Sequence, residues 1–264
     1  MNRLLVVFFA IVTMSSCTSK FQKILKNKDT DYKVKMAEKF YKEKKYSDAQ
    51  QLFESTIQFV KGTPRYEEIY LMYANAYYYD KDYENAENLF KTFIEYFPNS
   101  TRVEEVEFNR ANTYYLRSPK AELDQTTTNR AIQLMQSFID AHPTSIKVKD
   151  ATEVIDACRA KLELKDYKTA TLYFDLALYR AAAITYGLLS DGYPDSKSAD
   201  KYKLLTLKSY YLFAENSFLE KQKERFEKVT EEYNDFVDRY SDSPLLEEAK
   251  KIKKQTDNFL NIKK

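Results

Sequence analysis

The sequence contains few of the side chains that carry out catalysis. Its single histidine, His142, directly precedes Pro143 in what we interpret as a turn. A nucleophilic site or a zinc centre needs further His or Cys partners, and only Cys17 and Cys158 are available. The three glycines are scattered singly, so no loop resembles one that cradles phosphate. We therefore predict that the protein is not an enzyme and has no metal site and no cofactor.

Cys17 is the one residue whose surroundings indicate a covalent modification. A short start containing Arg3 is followed by an apolar run at 4–14 and by two serines before Cys17. The run is shorter than the roughly 20 residues that cross a bilayer, so we interpret 1–16 as a signal peptide. Small residues before Cys17 resemble the lipobox of bacterial lipoproteins, which predicts acylation of this thiol and anchoring by several acyl chains. Because no Asp follows Cys17 directly, we expect the outer membrane, facing the periplasm.

Polar and aromatic side chains recur in a register that suits peptide binding. Asn75 follows Ala74 and Asn112 follows Ala111, and a tyrosine stands three positions after each Asn. An Asn amide can donate to and accept from an extended backbone, and a Tyr ring offers contact area at low entropic cost. The predicted groove residues are Tyr41, Asn75, Tyr78, Tyr79, Asn112 and Tyr115, with Glu38, Lys42 and Leu116 at neighbouring inward positions. The alternative is that these are ordinary surface residues, since the chain has 23 tyrosines.

Helices joined in pairs must position these residues, because turn-forming residues are scarce. The 264 residues include 3 Gly and 6 Pro, too few for the corners of sandwiches, barrels or doubly wound sheets. A small residue instead precedes a ring by three positions at Ala37, Ala74 and Ala170, and by four at Ala49, Ala86 and Ala182. These spacings resemble the tetratricopeptide repeat, in which Ala lets two helices approach and the ring buries apolar area.

Helix-breaking residues mark the ends of the pairs. Pro98, Pro143 and Pro194 each follow an amphipathic stretch and precede a serine, and 240–243 repeats the form without proline. With a first repeat that ends near Pro64, we predict an all-α tetratricopeptide (TPR) α-α superhelix of five helix pairs. We also predict a loop between 117 and 129, a long helix within 146–178, and a capping helix at 245–259.

These patterns divide the mature chain into three parts. Residues 17–30 are interpreted as a lipid-anchored tether. Residues 31–145 carry repeats 1 to 3 and the predicted peptide groove, and 146–264 carry repeats 4 and 5 and the cap, where we predict that a partner docks. Lys and Arg number 42 against 40 Asp and Glu, and no basic block stands out, which argues against a nucleic-acid partner. Cys158 is expected to be a small core residue.

Together these features resemble the BamD family, the lipoprotein subunit of the outer-membrane β-barrel assembly machine. The resemblance rests on the lipobox at Cys17, the short tether, five helix pairs and the pattern from Ala86 through Phe90 to Pro98. It implies that the amino-terminal repeats receive unfolded outer-membrane protein precursors. It also implies that the carboxy-terminal repeats dock on the barrel-forming subunit, BamA. The missing proline before Ser243 departs from the other repeat ends.

Two other periplasmic roles remain open for such a lipoprotein. A glycan-binding tetratricopeptide lipoprotein usually presents Trp platforms and large inserted loops, whereas this chain has no Trp. A cell-envelope coordinator is expected to carry an amino-terminal coiled coil, for which 18–30 is too short. If the groove assignment is right, replacing Asn75 and Asn112 together by alanine should weaken the binding of an extended carboxy-terminal peptide by about 1–3 kcal/mol.

Overall fold

The computed structural model describes residues 20–262, and every regular element among them is a helix. The signal peptide at 1–16 and Cys17 lie outside the described residues. The helices are α1 (20–25), α2 (Thr30–Lys42), α3 (Tyr46–Val60), α4 (Tyr66–Tyr79), α5 (Tyr83–Tyr96), α6 (Val103–Arg117), α7 (Thr126–Ala141), α8 (Val148–Asp175), α9 (Tyr179–Gly192), α10 (Ala199–Glu215), α11 (Leu219–Arg239) and α12 (Leu246–Ile262).

Helices α2 to α11 form the five predicted pairs, and α12 follows as the cap. The prediction of an all-α fold of tetratricopeptide-type pairs is therefore confirmed. The expected long helix is α8, with 28 residues, and the expected loop joins α6 to α7 at 118–125. Within 20–262, no helix combines the length and apolarity needed to cross a membrane.

The chain divides into two compact units. The first runs up to Pro119 and includes Gln125–Cys158; the second comprises Lys120–Asp124 and the chain from Arg159 onward. The alanines singled out by their spacing are all fully buried: Ala37, Ala49, Ala74 and Ala86 in the first unit, Ala170 and Ala182 in the second. Because Ala has no bulk beyond Cβ, paired helices pack closely there and the neighbouring rings fill the remaining space. Cys158 is also buried, as expected.

The first unit holds a large aromatic core. Tyr70 and Tyr73 are buried beside Phe90 and Phe93. Three side chains of α1, Phe21, Ile24 and Leu25, pack against the same cluster. Part of the predicted tether is therefore a helix attached to the first repeat, because its apolar side chains find buried partners there.

Turns within three of the pairs end their first helix with a residue of left-handed backbone conformation. Lys44, Lys81 and Ala177 have φ values of 59, 67 and 56°. In each turn, the following N–H reaches back to a carbonyl in the last turn of the helix, as Asp82 N does to Tyr77 O at 3.0 Å. This hydrogen bond satisfies a carbonyl that the helix end would otherwise leave without a partner. Side chains with a Cβ adopt this conformation at an energetic cost that glycine avoids.

Four of the turns that follow a helix pair share one serine-centred arrangement, and the turn after the first pair, at 61–65, has Thr63 instead. In each of the four, a serine Oγ accepts a hydrogen bond from the backbone N–H two residues later and donates one to a carboxylate on the first helix of the pair that it ends. The serine–acid partners are Ser100 and Glu67, Ser145 and Glu104, Ser196 and Glu163, and Ser243 and Asp200. The last turn has no proline before its serine, and Pro244 follows it instead, yet it forms the same bonds, so the serine and the acid do not need a preceding proline.

Candidate functional site

A cavity of about 500 Å³ lies beside α4 in the first unit. Helix α4 presents Glu68, Leu71, Met72, Asn75 and Tyr79 to it, at the spacing of a single helix face. Tyr41 comes from α2, and the remaining residues come from the turns before α4 and α6 and from their first helical turns. We call this the tyrosine cavity; its lining residues are Tyr41, Pro64, Glu67, Glu68, Leu71, Met72, Asn75, Tyr79, Arg102 and Glu105.

Tyrosine rings form one wall of this cavity. The ring centroids of Tyr41 and Tyr79 are 6.3 Å apart, and Tyr46 lies 5.8 Å from Tyr41 and 5.2 Å from Tyr79. Burial, followed by the neighbouring hydroxyls of Tyr79 and Tyr46, raises the pKa of Tyr41 to about 12, while a hydrogen bond with Asn75 opposes the rise. Burial and then Glu105 raise the pKa of Tyr79. Both hydroxyls therefore stay neutral at physiological pH and can donate hydrogen bonds.

Among the predicted groove residues, Asn75 has a buried side-chain atom without a hydrogen-bond partner. It is only 8% exposed, and among the described residues nothing donates to its Oδ1 atom. A buried acceptor without a donor costs about 1–3 kcal/mol, which a ligand with a suitable donor would recover. Asn75 is also one of the residues that line the tyrosine cavity.

Asn112 occupies the equivalent position on α6 but is already engaged. Its Nδ2 atom donates to the Tyr78 hydroxyl at 2.7 Å, which joins α6 to α4. The Tyr78 ring packs 5.8 Å from both Tyr83 and Phe90. Tyr115 is half-buried on α6 and is not among the lining residues. The structure thus brings together Tyr41, Asn75 and Tyr79, and places the other three predicted groove residues elsewhere.

The inward positions predicted beside the groove residues also lie outside the lining. Glu38 forms an ion pair with Arg65, and Lys42 and Leu116 are exposed. These positions continue the register of the groove residues, but their side chains serve other contacts or face solvent.

Carboxylates of the cavity were not among the predicted groove residues. Glu67 and Glu68 stand in the first turn of α4, as Glu105 does in that of α6, where a negative charge interacts favourably with the helix dipole. The same three residues also line the tyrosine cavity. A signal was present in the sequence, because Glu68 precedes Asn75 by two helical turns and therefore shares its face.

A second cavity, of about 490 Å³, lies between α10 and α11 in the second unit. We call it the ionic cavity; it is lined by Arg180, Tyr210, Phe213, Lys221, Glu224, Arg225, Glu227, Lys228 and Glu231. Lys228 pairs with Glu231 at 2.9 Å and with Glu232 at 3.1 Å, and Lys221 pairs with Glu224 at 3.3 Å. The hydrogen bond with Glu231 is the largest cause that raises the pKa of Lys228 to about 12.

The single histidine makes contacts that stabilise the fold. His142 caps the end of α7 and bonds through Nε2 to Glu107 at 2.6 Å, packed 5.2 Å from the Phe138 ring. Within 20–262, no three His, Cys, Asp or Glu side chains are grouped closely enough to hold a metal ion.

Comparison with known proteins gives one family. The family model described as "YfiO: Outer membrane lipoprotein" matches residues 27–226. A solved structure titled "TPR2AB-domain:pHSP90-complex of yeast Sti1" is similar over 86% of this chain and 98% of that one, with 13% identity and a TM-score of 0.38. A TM-score of this size carries no argument about fold or function. No curated protein matches the sequence.

Proposed function

Because the chain belongs to the BamD (YfiO) family of outer membrane lipoproteins, we propose that it is a non-catalytic scaffold of the outer-membrane β-barrel assembly machinery. In this proposal, acylated Cys17 anchors it to the outer membrane, where it faces the periplasm. It binds unfolded outer-membrane protein precursors and a barrel-forming, BamA-like subunit, and so promotes folding and insertion.

The tyrosine cavity is the proposed precursor site. The observation that carries this assignment is that Asn75 lines the cavity and that its buried Oδ1 atom lacks a donor among the described residues. An unfolded precursor exposes backbone N–H groups, which are the donors that this atom needs. The rings of Tyr41 and Tyr79 supply flat contact area for an extended segment.

Docking of the BamA-like subunit is assigned to the second unit. The turn between α10 and α11 exposes two large apolar side chains, Phe218 at 84% and Leu219 at 67%. Neighbouring apolar side chains with a charged surround are typical of the centre of a protein interface. Lys221 and Arg225 of the ionic cavity follow them on α11.

Affinity capture of the full-length lipoprotein from detergent-solubilised envelopes tests the proposal. We expect a large β-barrel protein to be recovered with the unmodified chain. Phe218→Asp should reduce its recovery at least several-fold, because a charge at the interface centre is costly to desolvate. Phe59→Asp is the matched control, since Phe59 is an exposed phenylalanine, 71%, in the first unit.

The same experiment separates the alternatives. Recovery of oligosaccharide or peptidoglycan factors without a barrel protein would favour the glycan-binding or envelope-coordinating role. Recovery of the barrel protein with Phe218→Asp at the unmodified level would reject the docking assignment and leave the scaffold role in place.

A further inference from the structure

We infer that the tyrosine cavity selects a cationic side chain, Lys or Arg, within an extended peptide, and discriminates against a peptide's terminal carboxylate. The inference rests on the proposed function, because it assumes that peptide binds in this cavity. It adds the chemistry of the bound residue.

Charge is the first argument. The lining holds three carboxylates, Glu67, Glu68 and Glu105, against one guanidinium, Arg102, which gives a net charge of −2 (1 − 3). Arg102 is engaged by Glu105 at 3.2 Å. Among the described residues, Glu68 forms no ion pair, so its charge remains available to a ligand. A cleft lined by one sign of charge raises the local concentration of the opposite sign.

Hydrogen bonding is the second, independent argument. Asn75 lines the cavity, and its buried Oδ1 atom lacks a donor among the described residues. An ammonium or guanidinium group consists only of donors, whereas an ionised carboxylate has none. A carboxylate placed here would set two acceptors against each other with no hydrogen between them.

Aromatic surroundings favour the same ligand. The Tyr41 and Tyr79 rings lie side by side in the lining, and a cation over a tyrosine face is attracted by the ring quadrupole. The field of Glu105 already reaches both hydroxyls, since it contributes to the raised pKa of each. A cation seated between these rings and Glu105 would therefore be stabilised by both.

Matched synthetic peptides test the inference on the full-length chain in detergent. The peptides are blocked at both ends and differ at one central position, which is Lys, norleucine or Glu. A fourth is the norleucine peptide with a free terminal carboxylate. Because the chain has no Trp, one Trp in each peptide reports binding by fluorescence.

We expect the Lys peptide to bind about tenfold more tightly than the norleucine peptide at low salt, with the advantage reduced at high salt. Glu68→Gln combined with Glu105→Gln should remove most of this advantage. Glu224→Gln combined with Glu227→Gln, in the ionic cavity, is the matched control and should preserve it. Thermal melting by circular dichroism checks that each variant is folded.

Different failures have different meanings. Equal affinity for the Lys and norleucine peptides, with Asn75→Ala weakening both, overturns the charge selection and leaves the proposed function standing. Tightest binding by the free-carboxylate peptide also overturns the selection alone. Absence of binding by all four peptides overturns both.

Discussion

The two cavities have nearly equal volumes, about 500 and 490 Å³, but opposite internal chemistry. In the ionic cavity, Lys221 and Lys228 each meet a glutamate within the same helix. In the tyrosine cavity, among the described residues, Asn75 keeps an acceptor without a donor and Glu68 forms no ion pair. Repeats of one fold can therefore form cavities of similar volume. The polar groups that lack a hydrogen-bond or ion-pair partner indicate which cavity is the better candidate for binding a ligand.

Buried polar groups sharpen this contrast. Lys203, in the second unit, has a side chain only 7% exposed and pairs with Glu232 at 2.6 Å and with Asp235. Burial is the largest single influence and would lower its pKa, but the bonds with Asp235 and Glu232 together outweigh it and raise the pKa. The cost of burying the Lys203 charge is thus compensated by two carboxylates, whereas among the described residues no donor compensates the burial of the Asn75 oxygen.

The largest expected effect is on stability, at the buried and ion-paired Lys203. Lys203→Met should lower the free energy of unfolding by about 3 kcal/mol, because it leaves two carboxylates without their shared cation. The value lies at the lower end of the usual range since Glu232 retains Lys228. Urea unfolding measures the change, with Lys208→Met as a control at an exposed pair. A loss under 1 kcal/mol would contradict the view that this triad is a buried, interdependent unit.

At Asn75, whose buried oxygen lacks a donor among the described residues, the expected effect is on peptide binding. Asn75→Ala should weaken peptide affinity by about 1–3 kcal/mol with little net change in stability, because it removes an unsatisfied acceptor together with the hydrogen bond to Tyr41. Asn112→Ala is the control: it loses the bond to Tyr78 and should alter stability more than affinity. Calorimetric titration and thermal melting measure the two quantities. If both variants lost the same affinity, Asn75 and Asn112 would both belong to the peptide site, as their equivalent positions in the sequence predicted.

The serine turns offer a smaller comparison between the units. Ser100→Ala and Ser243→Ala should each destabilise the chain by about 1–2 kcal/mol. Each removes an acceptor for a backbone N–H and a donor to a carboxylate, that of Glu67 or Asp200. Pro98 stands two residues before Ser100, whereas the proline of the other turn, Pro244, directly follows Ser243. Urea unfolding should show the larger loss for Ser243→Ala, because no proline fixes the backbone φ two residues before that serine. The opposite order would mean that a proline before the serine adds nothing to this turn.

The smallest effect should be a gain. Lys81→Gly in the first unit and Ala177→Gly in the second should each raise the free energy of unfolding by about 0.5–1 kcal/mol, since both positions have positive φ. Lys45→Gly, just after Lys44, is a control with negative φ and should destabilise. Thermal melting of the three variants is sufficient. A loss at both positive-φ sites would show that the side chains contribute more than the backbone costs.

Much of the fold could be predicted because its signals are local. Buried Ala74 and Ala86 were identified by their spacing to a ring, and Pro98 and Pro143 marked turns that the structure has. The candidate site was only half predictable. Asn75 and Tyr79, predicted from helical register, both line the cavity, but its acids were not among the predicted groove residues.

The sequence by itself determined the helices, their pairing and the alanines at which they cross, since these depend on periodicity and on residues that stop helices. Only the tertiary structure decided which of two equivalent asparagines stays available. Asn112 donates through Nδ2 to Tyr78, 34 residues earlier in the chain, and does not line the tyrosine cavity. Asn75 does line it, and among the described residues its buried oxygen has no donor. The physical reason is that a side-chain hydrogen bond depends on ångström-scale packing between helices of different repeats, which the spacing within one helix does not specify.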